Sequence, residues 1–231
     1  GLRPAISLLC EAEIYTPLRK QPQKVGGPNK MALNIEAQKT LFHSLVEKNI
    51  HRDGIKELME WLDSTDFFEA PASTRFHGAE AGGLCAHSIA VAREIIRLAR
   101  IFNYETVGGE KKQIYTDEQL FLVALFHDVC KVNLYKQSYR NVKNDETGQW
   151  ERVPCYNFEE SYFVGGNGHG DKSVFLLVDY IKLSADEKAA INNHMGFSSG
   201  DARAVGDCFD HNKLAVLLHT ADMLAAYCDK T

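Results

Sequence analysis

The segment LFLVALFHDVCK, residues 120–131, runs seven consecutive apolar side chains directly into an imidazole and a carboxylate, His127 and Asp128. A helix that is apolar all round is buried on nearly every side. A carboxylate beside such a core is costly unless it is ion-paired, hydrogen-bonded or bound to a cation. Asp222 raises the same problem inside KLAVLLHTADMLAAY. His87 shares an i, i+4, i+8 row with Val91 and Ile95, so its ring faces the core. Three separated helices thus each turn a His or an Asp inward, which is how helical bundles build metal sites.

Together with their flanks, these residues resemble the H…HD…D signature of the HD-domain metal-dependent phosphohydrolases. GGLCAHS resembles the Gly-Gly-Leu that often precedes the first ligand there, HDVCK resembles HD-x-x-K, and TADMLA resembles A-D followed by an apolar pair. The resemblance covers roughly residues 70–227. It implies an all-α fold, an HD-domain helical bundle, with His87, His127, Asp128 and Asp222 as metal ligands.

In the binuclear branch of that superfamily two more histidines fall between the HD pair and the last Asp. His169 in GNGHGDKSV and His194 in INNHMGF are similar in order and context. Four His and two Asp suit one or two divalent transition metal ions, Fe, Mn, Co, Ni or Zn, and ligand type does not choose among them. In a binuclear metal site Asp128 would bridge ions about 3.5–4 Å apart, which activate a shared hydroxide as nucleophile and draw charge off a phosphoryl oxygen. With a single ion, His169 and His194 would instead serve as acid or phosphate-binding groups. The resemblance makes Asp128 and Lys131 catalytic, with Lys131 also a substrate contact. It offers Arg75 and His77 in PASTRFHGAEAGGL, and Lys172 beside His169, for the substrate's phosphates. His219, one turn before Asp222, is either a support for the ligands or a plain core histidine.

The elements that must position these groups read as about seven helices. Apolar stripes run through Ile35, Leu41, Phe42, Leu45 and Val46 and through Ile55, Leu58, Met59 and Leu62. Residues 84–102 form a long helix expected to bury Leu84, Val91, Ile95, Leu98 and Phe102. Thr116-x-x-Gln119 and Ser184-x-x-Glu187 are capping boxes, and helices over 173–183 and 211–227 complete the set. The one β signal is a hairpin insertion at about 137–157 around KNDETG. Its Tyr, Trp, Arg and Lys side chains suit a stacking and phosphate-binding surface, a lid, a dimer contact or simply one packed face.

Residues 1–30 hold four of the six prolines and read as an appendage or linker, or as an ordered arm, before a single domain over 31–231. With 231 residues, 45% hydrophobic and 25% charged, the chain can bury a core, which excludes disordered, collagen-like and disulfide-scaffold classes. A formal charge of −5 gives no overall attraction to nucleic acid or anionic membrane. No apolar run approaches the length of a membrane span. The six dispersed cysteines, with no C-x-x-C pair, read as reduced, buried thiols of a cytoplasmic protein rather than as disulfides or a zinc cluster.

The expected activity is hydrolysis of a phosphoester or phosphoanhydride in a nucleotide or related small phosphorylated substrate. The rivals are a phosphodiesterase or 3′-exonuclease on oligonucleotides, and a non-hydrolytic nucleotide-binding regulatory module. A homo-oligomer is compatible with each.

Overall fold

Asn34 starts the first helix, α1 (Ile35–Asn49), by accepting the Ala37 N–H at 3.0 Å. The computed structural model describes residues 34–145, 147–159, 168–198 and 201–228; the appendage expected at 1–30 lies outside them. The predicted stripe buries Phe42, Leu45 and Val46, and α2 (Ile55–Asp63) buries Leu58 and Leu62. Between these helices Arg52 forks onto both Glu187 oxygens at 2.9 and 3.0 Å.

Helix α3 (Gly83–Phe102) turns Leu84, His87, Val91 and Ile95 to the core. Phe102, expected to be buried, is 59% exposed, and Leu98 is only half-buried. The helix ends there and the chain enters a hairpin absent from the sequence reading, β1 (Tyr104–Val107) paired antiparallel with β2 (Glu110–Gln113). Its strands are polar and lack alternation, so only the Gly108-Gly109 turn between them marked it.

Both halves of the Thr116 capping box form, with the Gln119 N–H donating to Thr116 Oγ1 and the Thr116 N–H to Gln119 Oε1, and they open α4 (Asp117–Phe126). Every residue from Leu120 to Phe126 is buried, since α4 packs on α1 and α3 and on two helices that follow later in the chain. It stops at Phe126, just before the His-Asp pair, and a short 3-10 turn follows over Val129–Lys131. Phe42, Phe67 and Phe126 meet edge-on beside it at 5.1–5.7 Å.

The hairpin expected at 137–157 is present and one or two residues longer at each end: β3 (Tyr135–Lys143) pairs with β4 (Trp150–Phe158), Tyr135 opposite Phe158. Then come α5 (His169–Val178), α6 (Ala185–Asn192) with its Ser184–Glu187 capping box, α7 (Ala202–His211) and α8 (Lys213–Tyr227). Among the described residues there are thus eight α-helices and two small antiparallel hairpins. The additional helix is α7, whose N-terminus Asp201 caps and which buries only Val205, too little for an apolar period.

Gly170 sets the spacing of α5 and α6: a Cβ there would lie 2.3 Å from Asn192 O. No helix among the described residues is long and apolar enough to cross a membrane. The five described cysteines are free; Cys85 and Cys130 are buried, whereas Cys155 and Cys208 are half-buried and Cys228 is exposed, so burial is less general than expected.

Candidate metal centre

The centre gathers where α3, α8, the end of α4 and the end of α6 converge. His127 caps α4, and Asp128 leaves the helical region at φ −107°, ψ 17°, which swings its carboxylate among the imidazoles. Asp128 Oδ2 lies 3.4 Å from His127 Nε2 and 3.9 Å from His87 Nε2, while Oδ1 faces His194 Nε2 at 3.5 Å. Asp222, on α8, places Oδ1 3.0 Å from His87 Nε2 and 4.0 Å from His127 Nε2. The His127 and Asp128 side chains are all but inaccessible, as is His194.

The ring orientations are fixed by the backbone. His127 Nδ1 lies 2.8 Å from Ala124 O, and His194 Nδ1 lies 2.7 Å from Ile191 O. A carbonyl only accepts, so Nδ1 carries the proton in each ring and the Nε2 lone pair points into the cluster, the tautomer that ligates metals. His219 completes the support by donating from Nδ1 to His194 O at 2.7 Å. Gly196 makes room for it, since a Cβ there would lie 2.3 Å from the His219 ring.

These inward atoms make no hydrogen bonds of their own. His87 Nε2, His127 Nε2, His194 Nε2, Asp128 Oδ1 and His169 Nδ1 are all buried without a hydrogen bond; the approach of Asp222 to His87 is an ion-pair distance with poor hydrogen-bond geometry. Buried polar atoms are almost always satisfied, and each orphan costs about 1–3 kcal/mol. Five in one cluster fit a cation. Three sets of ligand atoms lie within 4.8 Å of one another: His87, His127 and Asp222; His127, Asp128 and His194; and Asp128, Cys130 and His169. All six sequence-predicted ligands therefore fall within these three overlapping groups.

Charge is strongly coupled here. Burial alone would raise the Asp128 carboxyl, but the Lys131 ammonium and the His127 imidazole outweigh it and hold the group well below the usual carboxylate range. Asp222 is lowered in the same way against burial, by His87 and His127. Lys131 is buried, and its Nζ lies 2.6 Å from Asp128 Oδ2. His77 lies against His87 with ring centroids 4.9 Å apart and the planes tilted by 41°, and burial, with the neighbouring His87 and Lys131, lowers it to about 4. Burial also lowers His169. Lys172 is half-buried in the first turn of α5, beside His169.

Arg75 is exposed and lines a cleft of about 310 Å³ between the 74–75 loop and the β3–β4 hairpin. Tyr139, Arg140, Tyr156 and Phe158 line it from the hairpin side. Arg152 caps the Tyr139 ring at 4.6 Å. Two links join the cleft to the His–Asp cluster: the loop carrying both Arg75 and His77, and Tyr135, which follows Lys131 by four residues and stacks on Phe158 at 5.7 Å. The sequence offered Tyr135 only as a hairpin aromatic, although its position four residues beyond Lys131 was a usable signal. Cys130, expected only as a reduced, buried thiol, is buried beside Asp128 and His169.

No known protein-family model, curated protein or solved structure matches the chain.

Proposed function

We propose that the chain is a metal-dependent phosphohydrolase of the HD-domain kind, acting on a nucleotide or related small phosphorylated substrate. The observation that carries this reading is the set of unpartnered, tautomer-fixed His Nε2 atoms around Asp128. His87, His127, Asp128 and Asp222 would hold one divalent transition metal ion, and Asp128, His169 and His194 a second. Such ions supply an activated water and draw charge from a phosphoryl oxygen.

The chain's own residues do the rest. Lys131 keeps Asp128 ionised and so ready to ligate. His77, neutral near pH 7 and set against His87, can donate one ring N–H to a phosphate oxygen at the rim. Arg75 and Arg140 in the cleft suit further anionic groups, and the exposed rings of Tyr139 and Phe158 suit an aromatic base.

A second reading, cleavage of oligonucleotides, is favoured by the exposed Tyr139, Trp150 and Phe158 with Arg152 on one hairpin. The net charge of −5 weighs against it. Phosphate or nucleotide release from nucleoside mono-, di- and triphosphates, dinucleoside polyphosphates, cyclic dinucleotides and short RNA, with Mn(II) or Co(II) added, tests both. Chelator-sensitive release from a small nucleotide is the expected result. Preference for RNA selects the second reading, and silence across the panel with metal bound leaves a nucleotide-binding module.

A further inference from the structure

We propose that Cys130 is a sulfur ligand of the second cation position, beside Asp128 and His169. This rests on the metal-centre reading above and adds to it a donor of a different chemical kind.

The thiol of Cys130, an Asp128 carboxylate oxygen and a His169 ring nitrogen lie within 4.8 Å of one another. Cys130 is 4% exposed. Two atoms of its partners, Asp128 Oδ1 and His169 Nδ1, are buried with nothing to bond, and Asp128 as a whole is 2% exposed. The backbone holds the sulfur in this place. The Cys130 N–H donates to Ser173 Oγ at 3.2 Å, which ties the 3-10 turn to the first turns of α5, and His169 is the first residue of that helix. The close approach of Gly170 to Asn192 in turn fixes α5 against α6.

The donor sets of the two positions then differ. His87, His127 and Asp222 offer only nitrogen and oxygen, whereas a thiolate makes the second position softer and favours Zn(II), Fe(II) or Co(II) over Mg(II) or Mn(II). The cation takes the place of the thiol proton, which leaves to buffer as the metal–sulfur bond forms.

Anaerobic titration of the metal-free full chain with Co(II) tests the assignment. The wild type is expected to develop a near-ultraviolet sulfur-to-cobalt charge-transfer band together with visible ligand-field bands. Cys130→Ser, which keeps the other five cysteines, is expected to lose the former and keep the latter. Its affinity for the second zinc equivalent should fall at least about tenfold, with the first unchanged.

Ligand-field bands without charge transfer in the wild type would overturn the Cys130 assignment and leave the metal centre standing. A charge-transfer band that persists in Cys130→Ser would overturn it too, because the sulfur then comes from elsewhere. No cobalt spectrum at all would overturn the metal centre itself. Should Cys130→Ser not fold, X-ray absorption of the zinc-loaded wild type decides: a sulfur neighbour at about 2.3 Å supports the ligand, and a shell of nitrogen and oxygen alone overturns it.

Discussion

Lys131 Nζ sits 2.6 Å from Asp128 Oδ2, with both side chains out of solvent. The pair is an internal counter-ion for a carboxylate that the imidazoles alone would not neutralise. Removing one partner of a buried pair leaves an uncompensated charge and costs about 3–5 kcal/mol. Lys131→Met is therefore expected to lower the urea midpoint of the metal-free chain sharply. Zn(II) should recover part of the loss by serving as the missing cation, and an equal loss with and without zinc would contradict this.

Metal content is expected near two equivalents per chain after purification without chelator. His169→Ala or His194→Ala should bring it toward one, and His87→Ala should empty the other position. One equivalent, unchanged by the His169 and His194 substitutions, would exclude a binuclear site. Removal of metal should also lower Tm, because binding to the folded chain alone stabilises it in proportion to the logarithm of free metal over Kd.

Gly170→Ala tests the seam between α5 and α6. The new Cβ would fall 2.3 Å from the Asn192 carbonyl, so the helices must separate by a fraction of an ångström or more. A loss of about 1–3 kcal/mol is expected. The second metal equivalent should weaken while the first, held by α3, α4 and α8, is retained, as isothermal titration would show.

His77 gives the chain a distinctive acid limb. Its ring titrates near 4 in the folded protein against 6.5 ordinarily. Between those values the unfolded chain takes up a proton that the folded chain refuses, so stability present above pH 6.5 is lost progressively as pH falls toward 4. His77→Gln is expected to flatten that part of the stability–pH curve, measured by denaturant titration at half-unit intervals.

The main helices were legible because burial imposes a period: Phe42, Leu45 and Val46 fall on one face, and the unbroken run Leu120–Phe126 announced a helix packed on all sides. The inward candidate ligands were legible for the same reason, since Asp128 and Asp222 are carboxylates set against apolar helices. What escaped was settled by contacts distant in sequence. The α7 helix buries a single Val205, so it leaves no stripe, and Phe102 is exposed because the chain departs into a polar hairpin. The nearness of Cys130 to His169 depends on the Ser173 anchor, more than forty residues on.

Asp222 lies on α8 and His87 on α3, and more than half of the chain separates them. During synthesis, at ~5–20 residues per second, an emerging chain would carry its first imidazole for about 7–27 seconds before the last carboxylate is made. Early ligands would thus be exposed to cellular metal before the complete site can discriminate. On the proposed function, loading then belongs to the finished fold, and a nascent or truncated chain without α8 is expected to compete poorly for metal.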